Sequence, residues 1–184
     1  VTVQRTRTDD ALSRALRALG AVELAVAAAA FLFTCAIVSL NAGLRYLANS
    51  SIVWSEEAAL LATNIFVFVG AAVIFKARAD VAVSYFLEKM SPRAAAWMEF
   101  ATFVAAAAFL GTMAVQAVLL WPLQRFTSTF ILDISRFWFT VPLIWGAVSM
   151  CLTSLVFAIR RFAAIGRGEF GRIPPFVAAP VEPE

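Results

Sequence analysis

The sequence predicts an all-α integral membrane protein with four transmembrane helices, both termini cytoplasmic, and an N-terminal amphipathic helix at the membrane interface. Three observations carry this expectation. Of the 184 residues, 62% are hydrophobic and the mean hydropathy is +0.84, against ~45–50% apolar in a typical soluble domain. The apolar residues fall into four runs free of Asp, Glu, Lys and Arg: Leu24–Leu44, Ala58–Phe75, Phe100–Gln124 and Phe137–Ile159. At ~1.5 Å per residue each run reaches about 27 Å or more, close to the ~30 Å hydrocarbon core of a bilayer. The third observation is where the basic residues stand. Arg5, Arg7, Arg14 and Arg17 precede the first run. Lys76, Arg78, Lys89 and Arg93 lie between the second and third. Arg160, Arg161, Arg167 and Arg172 follow the fourth. The other two connectors hold only Arg45, Arg125 and Arg136, so the positive-inside rule places both termini in the cytoplasm.

Each element follows from local signals. Residues 1–20 begin polar and then set Leu12, Ala15, Leu16 and Leu19 on one helical face, with Arg14 and Arg17 opposite. That pattern suits a short helix on the membrane surface, and equally a frayed cytoplasmic extension. The membrane domain is expected over residues 21–162, with helices at about 21–46, 54–76, 92–121 and 135–160. Ser51 or Ser55 can cap the second helix. Ser91 followed by Pro92 marks the start of the third, and Pro122 marks its end. Asp133 or Ser135 can cap the fourth, which Pro142 should bend near its start. Residues 163–184, with four prolines and two acids from Ile173 onward, read as a flexible cytoplasmic tail.

Composition also excludes chemistry. The chain contains no histidine, which removes bis-histidine haem, histidine-ligated zinc and histidine acid–base catalysis. Cys35 and Cys151 lie within apolar runs, where thiols serve as packing residues. No cofactor, metal, catalytic residue or nucleic-acid partner is expected. Asn64 and Gln116 are deeply placed amides suited to interhelical hydrogen bonds. Glu23 and Glu99 sit at cytoplasmic helix ends, within reach of headgroups or a basic neighbour. No ionisable residue falls in the middle third of a helix, where a proton- or ion-coupled carrier normally keeps one.

Polarity concentrates instead in Asn41–Glu57, the outward-facing connector between the first two helices. Asn41 and Arg45 share a helical face. Trp54, with Trp121 and Trp138, falls at the outer interface. Glu56 and Glu57 occupy the first turn of the second helix, where carboxylates suit the positive end of the helix dipole. Dipole capping accounts for one acid, but adjacent acids point ~100° apart and can hardly serve one partner. One can pair with Arg45 across the hairpin while the other meets a neighbouring protein. Glu57, on the face of Asn64, is the expected inward, pairing acid, and Glu56 the outward one. The candidate structural and partner-contact residues are Asn41, Arg45, Tyr46, Asn49, Trp54, Glu56, Glu57 and Asn64.

The spacing Asn41-x3-Arg45-Tyr46-x2-Asn49-x-Ser51-Ile52-x-Trp54-x-Glu56-Glu57 resembles the signature of the DctQ family, the small membrane subunit of TRAP (tripartite ATP-independent periplasmic) transporters. The likeness continues through Phe66-x3-Gly70-Ala71 and, more loosely, to Trp138 and Pro142. It departs at Asp80 and Ser84, where the family often has a histidine and, four residues on, an acid, and near Ser135, where the family tends to have a proline. The resemblance implies a scaffold subunit in a bacterial inner membrane. Such a subunit braces a large transport subunit and helps dock a periplasmic solute-binding protein for sodium-coupled uptake of an organic acid anion. Two rivals are an autonomous four-helix carrier or exporter with Glu23 as its proton site, and a membrane anchor of a redox complex. The flanking Arg14 and Arg17, which hold Glu23 at a helix end, weigh against the first. The missing histidines weigh against the second.

Overall fold

The computed structural model describes residues 7–77, 91–124 and 126–168, with side chains from residue 14 onward. The Asp80/Ser84 connector and the tail from Ile173 lie outside the described residues. Among the described residues five helices are seen: α1 Arg7–Leu47, α2 Ser55–Ala77, α3 Pro92–Leu119, the single turn α4 Trp121–Gln124, and α5 Phe137–Gly166. Four of them, all but α4, are long and apolar enough to cross a membrane.

The ends of these helices show the local chemistry at work. Ser91 stands in extended conformation and its hydroxyl accepts from the Ala94 amide at 3.4 Å, with Pro92 in the first turn. Pro92 has no amide hydrogen to leave unbonded there. The α3 ladder ends at Leu119, and Pro122 falls inside the separate turn α4. Ser55 does not accept from a helix amide; it is buried and donates its hydroxyl to the Ile52 carbonyl at 2.7 Å. Arg136 takes the N-cap position of α5 without a side-chain cap. Ser135 contributes from one residue earlier, accepting from the Phe137 amide at 3.4 Å, while Asp133 adopts a left-handed φ of 50°. The α5 helix continues through the buried Pro142 to Gly166, and just past its C-cap Arg167 the chain turns at Gly168, whose φ of +74° suits glycine.

The N-terminal segment differs from expectation in how it joins the bundle. Helix α1 runs unbroken from Arg7 to Leu47, about 60 Å at 1.5 Å per residue, so no break at residue 20 separates a surface helix from a span. Leu16 is buried with Phe103, Phe157 and Ala158, and Phe75, Phe100 and Val156 pack around that cluster. An apolar stripe laid flat on lipid and one packed on other helices have the same spacing. Here Leu16 of that stripe is buried in a cluster with aromatic side chains of α3 and α5.

Helix α1 packs along α2, α2 along α5, and α5 along α3. The contacts of α2 with α5 run in one direction, with Asn64 at Phe139 and Lys76 at Ser149, so these two central helices are parallel. The interior is made largely of small groups: Ala62, Ala72, Ala96, Ala107, Ala117, Ala147, Ala158, Thr153 and Ser154 are buried. Leu24, Phe31, Leu32, Leu60, Phe109, Leu152 and Ile159 point outward. Lipid offers no hydrophobic gain for hiding a leucine, so close approach of backbones and polar contacts hold such helices together. Ring pairs add to this, including Phe31 with Phe66 across α1 and α2 (5.3 Å) and Phe103 stacked on Phe157 across α3 and α5 (5.1 Å).

Helices α2 and α5 approach closely at Gly146, where an added Cβ would stand 2.6 Å from the Phe68 carbonyl oxygen. Backbone cannot yield as a flexible side chain can. We predict that Gly146→Ala destabilises the bundle by about 1–3 kcal/mol, the usual cost of overpacking. At Gly70 the nearest atom to an added Cβ is Ala27 Cβ at 3.8 Å, an ordinary contact, so Gly70→Ala should be nearly neutral. Thermal melting of the two variants in detergent checks this; equal melting temperatures would contradict the close packing at Gly146.

Candidate functional site

At the end of the bundle that the Lys/Arg distribution is expected to turn outward (the outer end), the α1–α2 connector is tied back onto α1. Asn41 Oδ1 accepts from the Ile52 amide at 2.8 Å, the Ser50 amide donates to the Leu44 carbonyl, and Asn49 takes a left-handed φ of 47° that lets the chain reverse. Asparagine tolerates that region better than most residues. Tyr46 and Leu47 are almost wholly exposed at the end of α1, and Val53 and Trp54 are exposed ahead of α2.

The two adjacent acids have separate fates. Glu57 is turned to the connector between α4 and α5: Oε1 accepts from the Ile131 amide at 3.2 Å and Oε2 from the Leu132 amide at 2.9 Å. That connector is itself knitted. The Thr129 amide donates to the Ile134 carbonyl, the Arg136 amide to the Thr127 carbonyl, and Thr140 donates its hydroxyl to Gln124 Oε1 at 2.6 Å. Phe126 and Phe130 are left exposed on it. The expected Glu57–Arg45 pair does not form, because two backbone amides of a distant loop take the carboxylate instead. Glu56 is exposed and, with Asn41, Arg45, Tyr46 and Ser55, borders the mouth of a cleft of about 530 Å³ between α1 and α2. Among the described residues neither Arg45 nor Glu56 forms an ion pair. Asn64 lies lower on α2 and donates Nδ2 to the Phe139 carbonyl of α5 at 3.3 Å.

A second polar constellation lies inside. Glu23 of α1 is ion-paired to Lys76 of α2, both essentially inaccessible. Lys76 Nζ also donates to Ser149 Oγ of α5 at 2.6 Å, and Ser149 Oγ donates to Glu23 Oε1 at 2.7 Å. Trp145 Nε1 donates to the same carboxylate oxygen at 3.3 Å. The carboxylate is thus held by an ammonium, a hydroxyl and an indole from two other helices. Further along, Arg161 Nη2 of α5 meets Glu99 Oε2 of α3 at 2.9 Å, again buried. Charged groups left alone in a low-dielectric interior are very costly, and pairing with added hydrogen bonds is how they are retained.

Against known protein families, residues 34–164 match the model described as Tripartite ATP-independent periplasmic transporters, DctQ component. The chain belongs to this family. No curated protein matches it. As a DctQ component it is a membrane-embedded part of a TRAP transporter, and the family is one of transporter subunits. The stretch that carried the resemblance, Asn41–Glu57, lies within the matched span and spans the end of α1, the connector and the start of α2.

The buried network of this DctQ chain was only half visible in its sequence. Glu23 and Glu99 stood out as acids beside apolar runs, but their partners were not named. Depth supplies the missing signal. Glu23 lies about 36 Å from the outer end of α1, and Lys76 about 32 Å from the outer end of α2, at 1.5 Å per residue. Antiparallel neighbours joined by a short connector therefore bring the two to one level. The same reckoning brings Glu99, about 30 Å from the outer end of α3, to Arg161, about 36 Å from the start of α5. Ser149 carries no such signal, since a serine in an apolar helix usually bonds its own backbone.

Two predictions follow from these contacts. Lys76→Met leaves the Glu23 carboxylate buried beside Ser149 and Trp145 without its cation, and should cost about 3–5 kcal/mol. Glu23→Leu combined with Lys76→Met should recover most of that loss. Melting temperatures of the single and double variants check it, and a double variant no better than the single would contradict a paired role. At the outer end, glutamine in place of Glu57 keeps one acceptor oxygen and gains an NH₂ group, so it cannot serve both amides. Hydrogen exchange at Ile131 and Leu132 should quicken in Glu57→Gln and stay unchanged in Glu56→Gln.

Proposed function

We propose that this chain is the static scaffold subunit of its TRAP transporter. It braces the large membrane subunit that moves the substrate, and its outer rim helps receive the periplasmic solute-binding protein. The observation that carries this reading is the use made of the buried charges. Glu23 and Lys76 are bonded to each other and to Ser149, and Glu99 to Arg161. A site that binds and releases a solute or proton needs groups that exchange partners, whereas these are committed to joining helices. A proton site at Glu23, as in an autonomous small carrier, would have to give up an ammonium, a hydroxyl and an indole at each cycle.

In this reading the chain sits in a bacterial inner membrane with both termini cytoplasmic, as the Lys/Arg distribution favours. The transported solute is an organic acid anion, and sodium drives its uptake through the large subunit. Tyr46, Asn49, Trp54 and Glu56 form the outer surface available to a docking partner. An exposed acid there acts more on encounter rate than on affinity.

Three measurements test the proposal together. In a background lacking Cys35 and Cys151, single cysteines at Ser51 and Ser91 should be labelled from opposite sides of the membrane. In proteoliposomes, the large subunit with this chain, sodium and the loaded binding protein should take up solute. This chain alone should neither transport nor show saturable heat with organic acids in calorimetry. Micromolar binding of the solute by the isolated chain would overturn the scaffold assignment.

A further inference from the structure

The cleft between the outer halves of α1 and α2 has a second character besides its polar mouth. Its α1 wall is Thr34, Val38, Ala42 and Arg45, recurring at helical spacing, and Ala59 and Leu60 face them from α2. From Thr34 to Arg45 the wall rises about 16 Å, close to half of the ~30 Å hydrocarbon thickness. The lower part is largely apolar: Thr34 turns its hydroxyl to the Ala30 carbonyl at 2.9 Å, and Thr63 is the other hydroxyl that lines it. At the mouth, the Asn41 and Ser55 side chains are bonded to Ile52. The charges left facing the opening are Arg45 and Glu56, one of each sign.

We propose that this cleft holds one outer-leaflet phospholipid with a zwitterionic headgroup carrying a primary ammonium, that is, phosphatidylethanolamine. An acyl chain lies against Val38, Ala42 and Leu60 over the depth of one leaflet. The phosphate sits at the Arg45 guanidinium, whose planar fork suits phosphate oxygens. The ammonium lies one ethylene unit away and donates to the Glu56 carboxylate. A free phosphate would not need the apolar wall. An anionic lipid would set phosphatidylglycerol's neutral glycerol against Glu56, and a choline lipid has no N–H to donate. The pair Arg45 and Glu56 thus selects for a headgroup with both charges and a hydrogen-bonding cation.

Native mass spectrometry of the full chain, delipidated and then titrated with phosphatidylethanolamine, phosphatidylglycerol or phosphatidylcholine, tests this. One equivalent of phosphatidylethanolamine should be retained under collisional activation that strips the other two. Arg45→Gln should weaken retention of every phospholipid about tenfold, a loss of ~1.4 kcal/mol. Glu56→Gln should abolish the preference for phosphatidylethanolamine over phosphatidylglycerol while leaving overall lipid retention. Leu60→Trp, at an exposed wall position that tolerates the larger ring without refolding, should block the site at an unchanged melting temperature. Equal retention of the three lipids, or retention indifferent to all three variants, would overturn the proposal. So would a Leu60→Trp variant that loses a co-purifying membrane protein and keeps its lipid, since the occupant would then be protein.

Discussion

A carboxylate inside a membrane bundle must be bonded on every side that lipid cannot serve, and the Glu23 carboxylate sets the arrangement of three helices. Lys76 reaches it from α2, and Ser149 and Trp145 reach it from α5. Sliding any one of these helices by a single turn, about 5.4 Å, would break the set and leave charge in an apolar interior. The network therefore fixes the register of α1, α2 and α5 at one point. Arg161 with Glu99 extends the constraint to α3 about 18 Å further along α5. A buried pair of this kind adds little net stability over a well-packed apolar replacement, because each ion gives up its hydration. Its effect lies in excluding alternative registers, which an interior of alanines and serines would otherwise allow.

That interior explains why register needs such a device. Soluble cores interlock large side chains, and each ridge admits few neighbours. Here the buried faces are mostly Ala, Ser, Thr and Gly, which allow close approach but offer many nearly equivalent positions. Gly146 against the Phe68 carbonyl brings α2 and α5 close together, and Asn64 bonded to the Phe139 carbonyl holds the same pair nearer the outer end. Close approach, amide and ion pair thus act at successive depths along α2. Most of the large apolar side chains, the Phe103 and Phe157 cluster apart, are left outside, where lipid or another membrane subunit can meet them.

The spans were legible in the sequence because four charge-free runs of membrane length admit no other open structure than helix. The start of α3 was legible because Ser91 and Pro92 each act within one turn. The outer rim was legible in composition but not in its bonding. Glu57 and Arg45 are close in sequence, and pairing across a short connector was a reasonable expectation. The competing acceptor site consists of two backbone amides some 75 residues away, on a connector whose shape has no periodic signature. Backbone amides carry no residue code, so nothing in Ile131 or Leu132 marks them as partners for an acid. The join between the N-terminal segment and α1 was hidden for a different reason. The spacing of Leu12, Leu16 and Leu19 specifies an apolar stripe but not what covers it, and in the fold Phe103 and Phe157 lie beside Leu16.

Glu57 connects the rim to the rest of the molecule. By gripping the connector ahead of α5 from the first turn of α2, it joins the two outer connectors at a level well above the buried ion pairs. Helices α2 and α5 are then held at three depths: Glu57 at Ile131 and Leu132, Asn64 at Phe139, and Lys76 at Ser149. Two parallel helices fixed at three heights resist both sliding and splaying. A surface presented by such a pair keeps its shape while a neighbouring subunit moves against it, which is the mechanical property the proposed bracing role requires. A carrier that opens to each side in turn needs the reverse, contacts weak enough to be broken and remade in every cycle. The division of labour within the rim follows from this geometry. Glu57 is spent on rigidity, so among the described residues Glu56 is the carboxylate left to meet a ligand or partner at the mouth of the α1–α2 cleft, which Arg45 also lines.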